Sequence, residues 1–188
     1  MRWLFRTLLV LIVLLAVYAG TAVASLKGLV DDTRKGDVAA VMSRVDLPRL
    51  RSSLAEQIVR AHFKRIEQTR PVKTIERIAA PTVVDALLAQ LLTPVNIAQI
   101  LQSGALPVPA GAAPSTIMLP SLNAAGLEST MRILARLQPK TPVQLRVRLD
   151  DAGEAAIRLH FEGTRWKLSG IDLPAAALEK LIAGVVQK

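Results

Sequence analysis

The sequence predicts an α+β domain behind a membrane-directed N-terminal segment, and three observations carry that reading. Residues 1–26 begin with Arg2 and Arg6 and continue as an uncharged, strongly apolar run, Thr7 to Leu26. Apolar residues through the first half recur at spacings of three and four, the period of helices. From Val143 onward they recur at every second residue, the period of strands. Helices first and an antiparallel β-meander after them make the α+β class.

The apolar run of about 20 residues is long enough for a helix to cross a ~30 Å hydrocarbon core. A basic start before such a run describes either a signal anchor or a signal peptide. Ala22-Val23-Ala24 has the small-x-small form of a cleavage site, with Ser25 after it. Length favours the uncleaved anchor, with Tyr18 placed as an interfacial aromatic. Arg2 and Arg6 favour an inside N-terminus, against a weaker opposing bias from Lys27, Arg34 and Lys35. The expected location is the inner membrane, with residues 27–188 facing the periplasm or exterior. The alternative is release to the periplasm after Ala24.

Residues 27–188 are enough for one domain with its own core. The chain is 51% hydrophobic but only 3% aromatic, so Leu, Ile, Val and Ala must fill that core. There is no cysteine, which removes disulfides, thiolate metal sites and cysteine nucleophiles. Net charge is +9. Nucleic acid is a poor partner for it, because no basic-aromatic interleaving exists to stack bases.

The elements follow in order. Leu26, Leu29 and Val30 form the buried side of a helix that prolongs the apolar run to Lys35. Gly36 stops it, and Asp37 caps a short helix, Val38 to Arg44. Asp46 precedes Leu47-Pro48, a helix start. Leu47, Leu50, Leu54, Ile58 and Ala61 then mark the clearest amphipathic helix in the chain, with Pro71 as its end or kink. Lys73 to Ala79 reads as a short helix, and Thr82 as the cap of a separate one through Leu92. Thr93-Pro94 opens a helix to Gln102 that Gly104 closes. The segment 103–126 holds Pro107, Pro109, Pro114 and Pro120 and reads as a disordered, dispensable loop, or else a functional lid.

Thr130 to Leu137 is ambiguous between helix and strand, and the alternation of Met131, Ile133, Ala135 and Leu137 favours a fourth strand. Val143, Leu145, Val147 and Leu149 alternate with Gln144, Arg146, Arg148 and Asp150. Ala155, Ile157, Leu159 and Phe161 follow the Asp151-Ala152-Gly153 turn. Gly163-Thr164 is a two-residue turn, and Gly170 breaks the alternation with a bulge so that Ile171 and Leu173 point inward. Pro174 ends the sheet, and Ala175 to Val186 reads as a terminal helix.

With those elements placed, the chain resembles the bacterial envelope family catalogued as domain of unknown function 2939. The motifs are the N-terminal apolar segment, Gly36-Asp37, Val45-Asp46-Leu47-Pro48 with Leu50-Arg51 and Leu54, and Leu92-Thr93-Pro94. Trp166-Lys167-Leu168, Ile171 and Leu173-Pro174 complete them. The resemblance implies a fold and a location but no activity.

The chemistry-bearing residues are few. His62 and His160 stand without H-x-x-x-H, H-E-x-x-H or G-x-S-x-G, so neither a metal site nor a nucleophilic triad is expected, and no cofactor. Asp46, Pro48 and Arg51 read as a structural motif: a cap and a bracing arginine, with a functional ion pair as the sharper alternative. Trp166 reads as a cross-strand core partner of Phe161 rather than a ligand platform. The turns place Arg146 opposite Arg158 and His160 opposite Lys167. Like charges facing across strands are destabilising, so Arg146, Arg148, Arg158, His160 and Lys167 form a candidate anion- or lipid-contact face. A nearby carboxylate such as Glu162, or solvent screening, would relieve the same repulsion. The expected function is a non-catalytic binding or structural role beside a membrane, with an envelope protein or anionic lipid as partner. A carrier for a small apolar ligand, with a pocket between helices and sheet, is the alternative.

Overall fold

The computed structural model describes residues 2–67, 74–106, 117–118, 121–122, 125–127 and 129–186. Its element order is α1 (Arg2–Lys35), α2 (Val38–Ser43), α3 (Leu47–Glu67), α4 (Thr74–Leu91), α5 (Pro94–Ser103), β1 (Ala105–Leu106), β2 (Ile117–Met118), α6 (Thr130–Arg136), β3 (Leu137–Thr141), β4 (Gln144–Arg148), β5 (Ala156–Glu162), β6 (Arg165–Asp172) and α7 (Ala175–Val186). The α+β class holds. The long apolar N-terminal helix, the further helices, an antiparallel four-stranded sheet ordered β3-β4-β5-β6, and the terminal helix are all present.

The helix boundaries follow local chemistry. Gly36 takes φ 68°, a backbone shape costly for other residues, and ends α1. Asp37 accepts a hydrogen bond from the Ala40 amide at 2.9 Å and starts α2. Asp46 does the same for α3, accepting from the Arg49 amide at 3.1 Å. Thr93 accepts from the Asn96 amide at 3.2 Å, Pro94 follows, and Gly104 closes α5 with φ 74°.

The sheet is held in one register. Val147 faces Ile157, Leu145 faces Leu159, and Phe161 faces Trp166. Gly163 supplies the positive φ, 63°, that the β5–β6 turn needs. Arg158 pairs with Gly170 while Leu159 pairs with Leu168, so Ser169 is the extra residue of a bulge. The bulge is what lets Leu168 and Ile171 share the buried face. The outer edge of β6 is not left bare. Leu168 donates to the Arg44 carbonyl and accepts from the Asp46 amide, both at 2.8 Å, so the α2–α3 link runs alongside it as a parallel bridge.

One core joins all of this. Leu26, Leu29 and Val30 of α1, Leu50 and Leu54 of α3, and Ile97 and Leu101 of α5 meet Leu145, Val147, Ile157, Leu159, Trp166 and Leu168 of the sheet.

Three expectations need correction. Thr82 caps no separate helix, because α4 runs unbroken from Thr74 with Pro81 inside it. Thr130–Arg136 is a helix, and the fourth strand is the next segment, β3. Ile133 alone of that stretch is fully buried, so an apparent alternation there was one inward residue per two turns. The segment 103–126 is not wholly a loop: Ala105 and Leu106 pair with Met118 and Ile117. Leu122 and Ala125 are buried in the core, and the Leu122 amide donates to the Leu101 carbonyl at 3.1 Å. Its four prolines, Pro107, Pro109, Pro114 and Pro120, lie outside the described residues, as does Pro71.

Candidate functional site

The charged sheet face is built by strand alternation and then closed by an aspartate. Arg146 does stand opposite Arg158, and His160 opposite Lys167. The repulsion between the two arginines is relieved inside the fold. Asp172 takes Arg146 Nε on one oxygen at 2.7 Å and Arg158 Nε on the other at 2.9 Å. Arg146 also donates to the Gly153 carbonyl at 2.9 Å, and Arg158 Nη2 donates to Ser53 Oγ. Lys167 pairs with Glu162 at 3.0 Å. The Lys167 ammonium holds the exposed Glu162 carboxyl below the usual carboxylate range, by hydrogen bond first and charge second. Two carboxylates, Asp172 and Glu162, thus offset the like charges on this face, Glu162 as the sequence allowed.

This face is also partly covered. Ser53 of α3 is buried against it, and a Cβ at Gly170 would meet Ser53 Oγ at 2.7 Å and Arg158 Nε at 2.9 Å. Glycine is therefore the residue that lets helix and strand approach. Gln57 fastens the same contact, donating to the Ile171 carbonyl at 2.8 Å and accepting from the Leu173 amide at 3.1 Å. Beside this junction lies a cleft of about 330 Å³, whose lining includes Arg49, Lys140, Arg158 and Glu56. His160 and Arg148 are half-buried at the margin of the face. His160 Nδ1 and Arg148 Nε are buried with no hydrogen-bond partner among the described residues.

The Asp46 motif works as a cap. The Asp46 carboxylate takes the Arg49 amide on one oxygen and Arg49 Nε on the other at 3.1 Å, so Arg49 is its ion-pair partner. Pro48 is exposed in the first turn of α3. Arg51 is half-buried, with its Nε unpaired among the described residues. His62 lies tilted beside Phe63, with ring centroids 6.0 Å apart.

Trp166 is the best-held residue of the set, only 2% exposed. Its ring lies 5.2 Å from Phe161 and 5.1 Å from Tyr18, edge-on to the latter. Its Nε1 donates to Thr21 Oγ1 at 3.3 Å, and its amide donates to Ser25 Oγ at 3.4 Å. Three of these four partners belong to the N-terminal helix. Further along α1, the Arg44 guanidinium lies across Gly28 and donates to Asp32 at 2.6 Å. The sequence reading missed Asp172, Gln57 and this seam between α1 and β6. Asp172 had a signal: with the bulge at Gly170 and Ile171 inward, residue 172 must point towards the arginines. The seam had none, since Thr21 and Ser25 sit within an apolar run.

Comparison with curated proteins and with solved structures finds no match. A family model does match. It begins inside α1 and ends in α5, taking in Gly36-Asp37, Val45 to Leu54 and Leu92-Thr93-Pro94, while the Trp166 and Leu173-Pro174 motifs lie beyond it. Residues 11–100 match the model of the family described as protein of unknown function (DUF2939).

Proposed function

We propose that this chain is a single-span membrane protein of the bacterial envelope, whose α+β domain stands on the periplasmic or outer side and acts by binding or structural contact, without catalysis. The observation that carries the reading is the continuity of α1. It is one helix from Arg2 to Lys35. Trp3 to Val17 are exposed and apolar apart from Arg6 and Thr7, as lipid would require, while Ala22, Val23, Leu26, Leu29 and Val30 belong to the domain core. Cleavage after Ala24 would strip Ala22 and Val23 from that core and remove Tyr18 and Thr21 from Trp166. The family match beginning at residue 11 supports the same continuity.

A binding role fits the remaining features better than an apolar carrier. The space between helices and sheet holds Leu26, Ile97, Leu122, Leu127 and Ile133, and the cleft beside α3 is lined by charged and hydroxyl groups. Its cations suit a polar or anionic partner group, from a lipid or an envelope protein. Alkaline extraction of membranes, followed by protease treatment of spheroplasts, tests the placement. The protein should stay with the membrane and its domain should be digested from outside. Release by alkali, or protection of the domain, would contradict the placement.

A further inference from the structure

The free part of α1 is too short to carry the domain clear of a bilayer. We infer that the β3–β4 and β5–β6 turns at the base of the sheet sit in the phospholipid headgroup layer. This rests on the single-span reading above.

Between the charge at Arg6 and the first partly buried residue, Tyr18, the exposed stretch Thr7 to Val17 reaches about 17 Å at ~1.5 Å per residue. A hydrocarbon core is ~30 Å thick and takes about 20 residues. Tilt shortens the reach further. Five more residues beyond Val17 end at Ala22, which has 0% exposure and belongs to the domain core. The deficit therefore draws the domain base down to the membrane.

The structure says which end of the domain is the base. Tyr18 and Thr21 lie against Trp166, and Gly28 lies under Arg44, whose carbonyl bonds the Leu168 amide. The helix thus ascends as β6 runs from Trp166 to Leu168. The Gly163-Thr164 turn precedes Trp166 and points back along the free helix. The Phe161 amide donates to the Val143 carbonyl at 2.9 Å, so the β3–β4 turn, with Pro142 and Val143, is at the same end. Exposed Pro142, Val143, Lys140 and Arg165 give this end an apolar tip flanked by long cations, a composition suited to a headgroup layer. The Asp151-Ala152-Gly153 turn lies at the opposite end.

The chain has no cysteine, so single-cysteine variants of the full-length protein can be nitroxide-labelled cleanly. The labels go to Leu11→Cys, Pro142→Cys, Thr164→Cys and Ala152→Cys, in vesicles of phosphatidylcholine with phosphatidylglycerol. Collision rates with oxygen and with a water-soluble nickel chelate report depth. Leu11 should be lipid-like. Pro142 and Thr164 should lose nickel access several-fold relative to Ala152, and should do so equally in high salt, since length and not charge sets the depth. Inserting five leucines after Leu11 lengthens the free helix by about 7 Å and should lift Thr164 into water. Nickel access at both turns equal to that at Ala152, with Leu11 in lipid, overturns this inference and leaves the span intact. Leu11 in water overturns both. A turn label that is shielded only at low salt, or is unmoved by the insertion, overturns the length argument.

Discussion

Tyr18 and Trp166 meet edge-on with ring centroids 5.1 Å apart, and the contact joins the middle of α1 to the first residues of β6. Such aromatic pairs add about 0.5–1.5 kcal/mol beyond the area they bury. In a double-mutant cycle on the full chain in detergent, Tyr18→Leu and Trp166→Leu should show coupling of that order. Additive single effects would mean that the two rings merely lie side by side.

Trp166 itself should matter more. Trp166→Ala removes a buried ring that touches Phe161, Tyr18 and Thr21, and should cost about 3–5 kcal/mol by denaturant titration. A near-neutral value would show that the ring is not part of the core.

Asp172 is expected to be the electrostatic keystone of the sheet face. Asp172→Asn leaves Arg146 and Arg158 opposed with no charge between them, at sites that are only partly hydrated. The loss should be about 1–3 kcal/mol, and added salt should restore part of it. No loss, or no response to salt, would show that solvent already screens the pair.

Leu122 tests whether the segment after α5 is structural. It is 1% exposed, and Leu122→Ala should cost about 2–5 kcal/mol. Removing 103–126 entirely should then abolish cooperative unfolding, the reverse of what its proline-rich composition suggests.

Glu162 offers a pH test. Its carboxyl should titrate below the usual carboxylate range, and Lys167→Met should return it there, read by side-chain carbon NMR. A lowered folded-state pKa means the pairing contributes above the ordinary carboxyl range and is lost as pH falls through the lowered value. Because Glu162 is exposed and Lys167 only half-buried, this pair should leave global stability almost unchanged.

The order of elements could be read from the sequence wherever local chemistry decides it. Asp37, Thr93-Pro94, Gly104 and the Gly163-Thr164 turn act through neighbours within four residues, and each does what its type dictates. The register of Arg146 on Arg158 followed from turn lengths alone. What could not be read depended on distant partners. Thr130–Arg136 has an alternating pattern, but only Ile133 finds the core, so the period misled. Leu122 lies in a small-residue stretch and is recruited by the Leu101 carbonyl from α5. Thr21 and Ser25 look like the tail of an apolar run, and only the position of β6 turns them into partners of Trp166.

That seam requires the N-terminal helix to be retained, and the intact mass of the protein purified from membranes decides it. The mass expected is one that still includes residues 2–24; residues 1–188 weigh 20.3 kDa. A mass beginning at Ser25, in a soluble and folded protein, would contradict it.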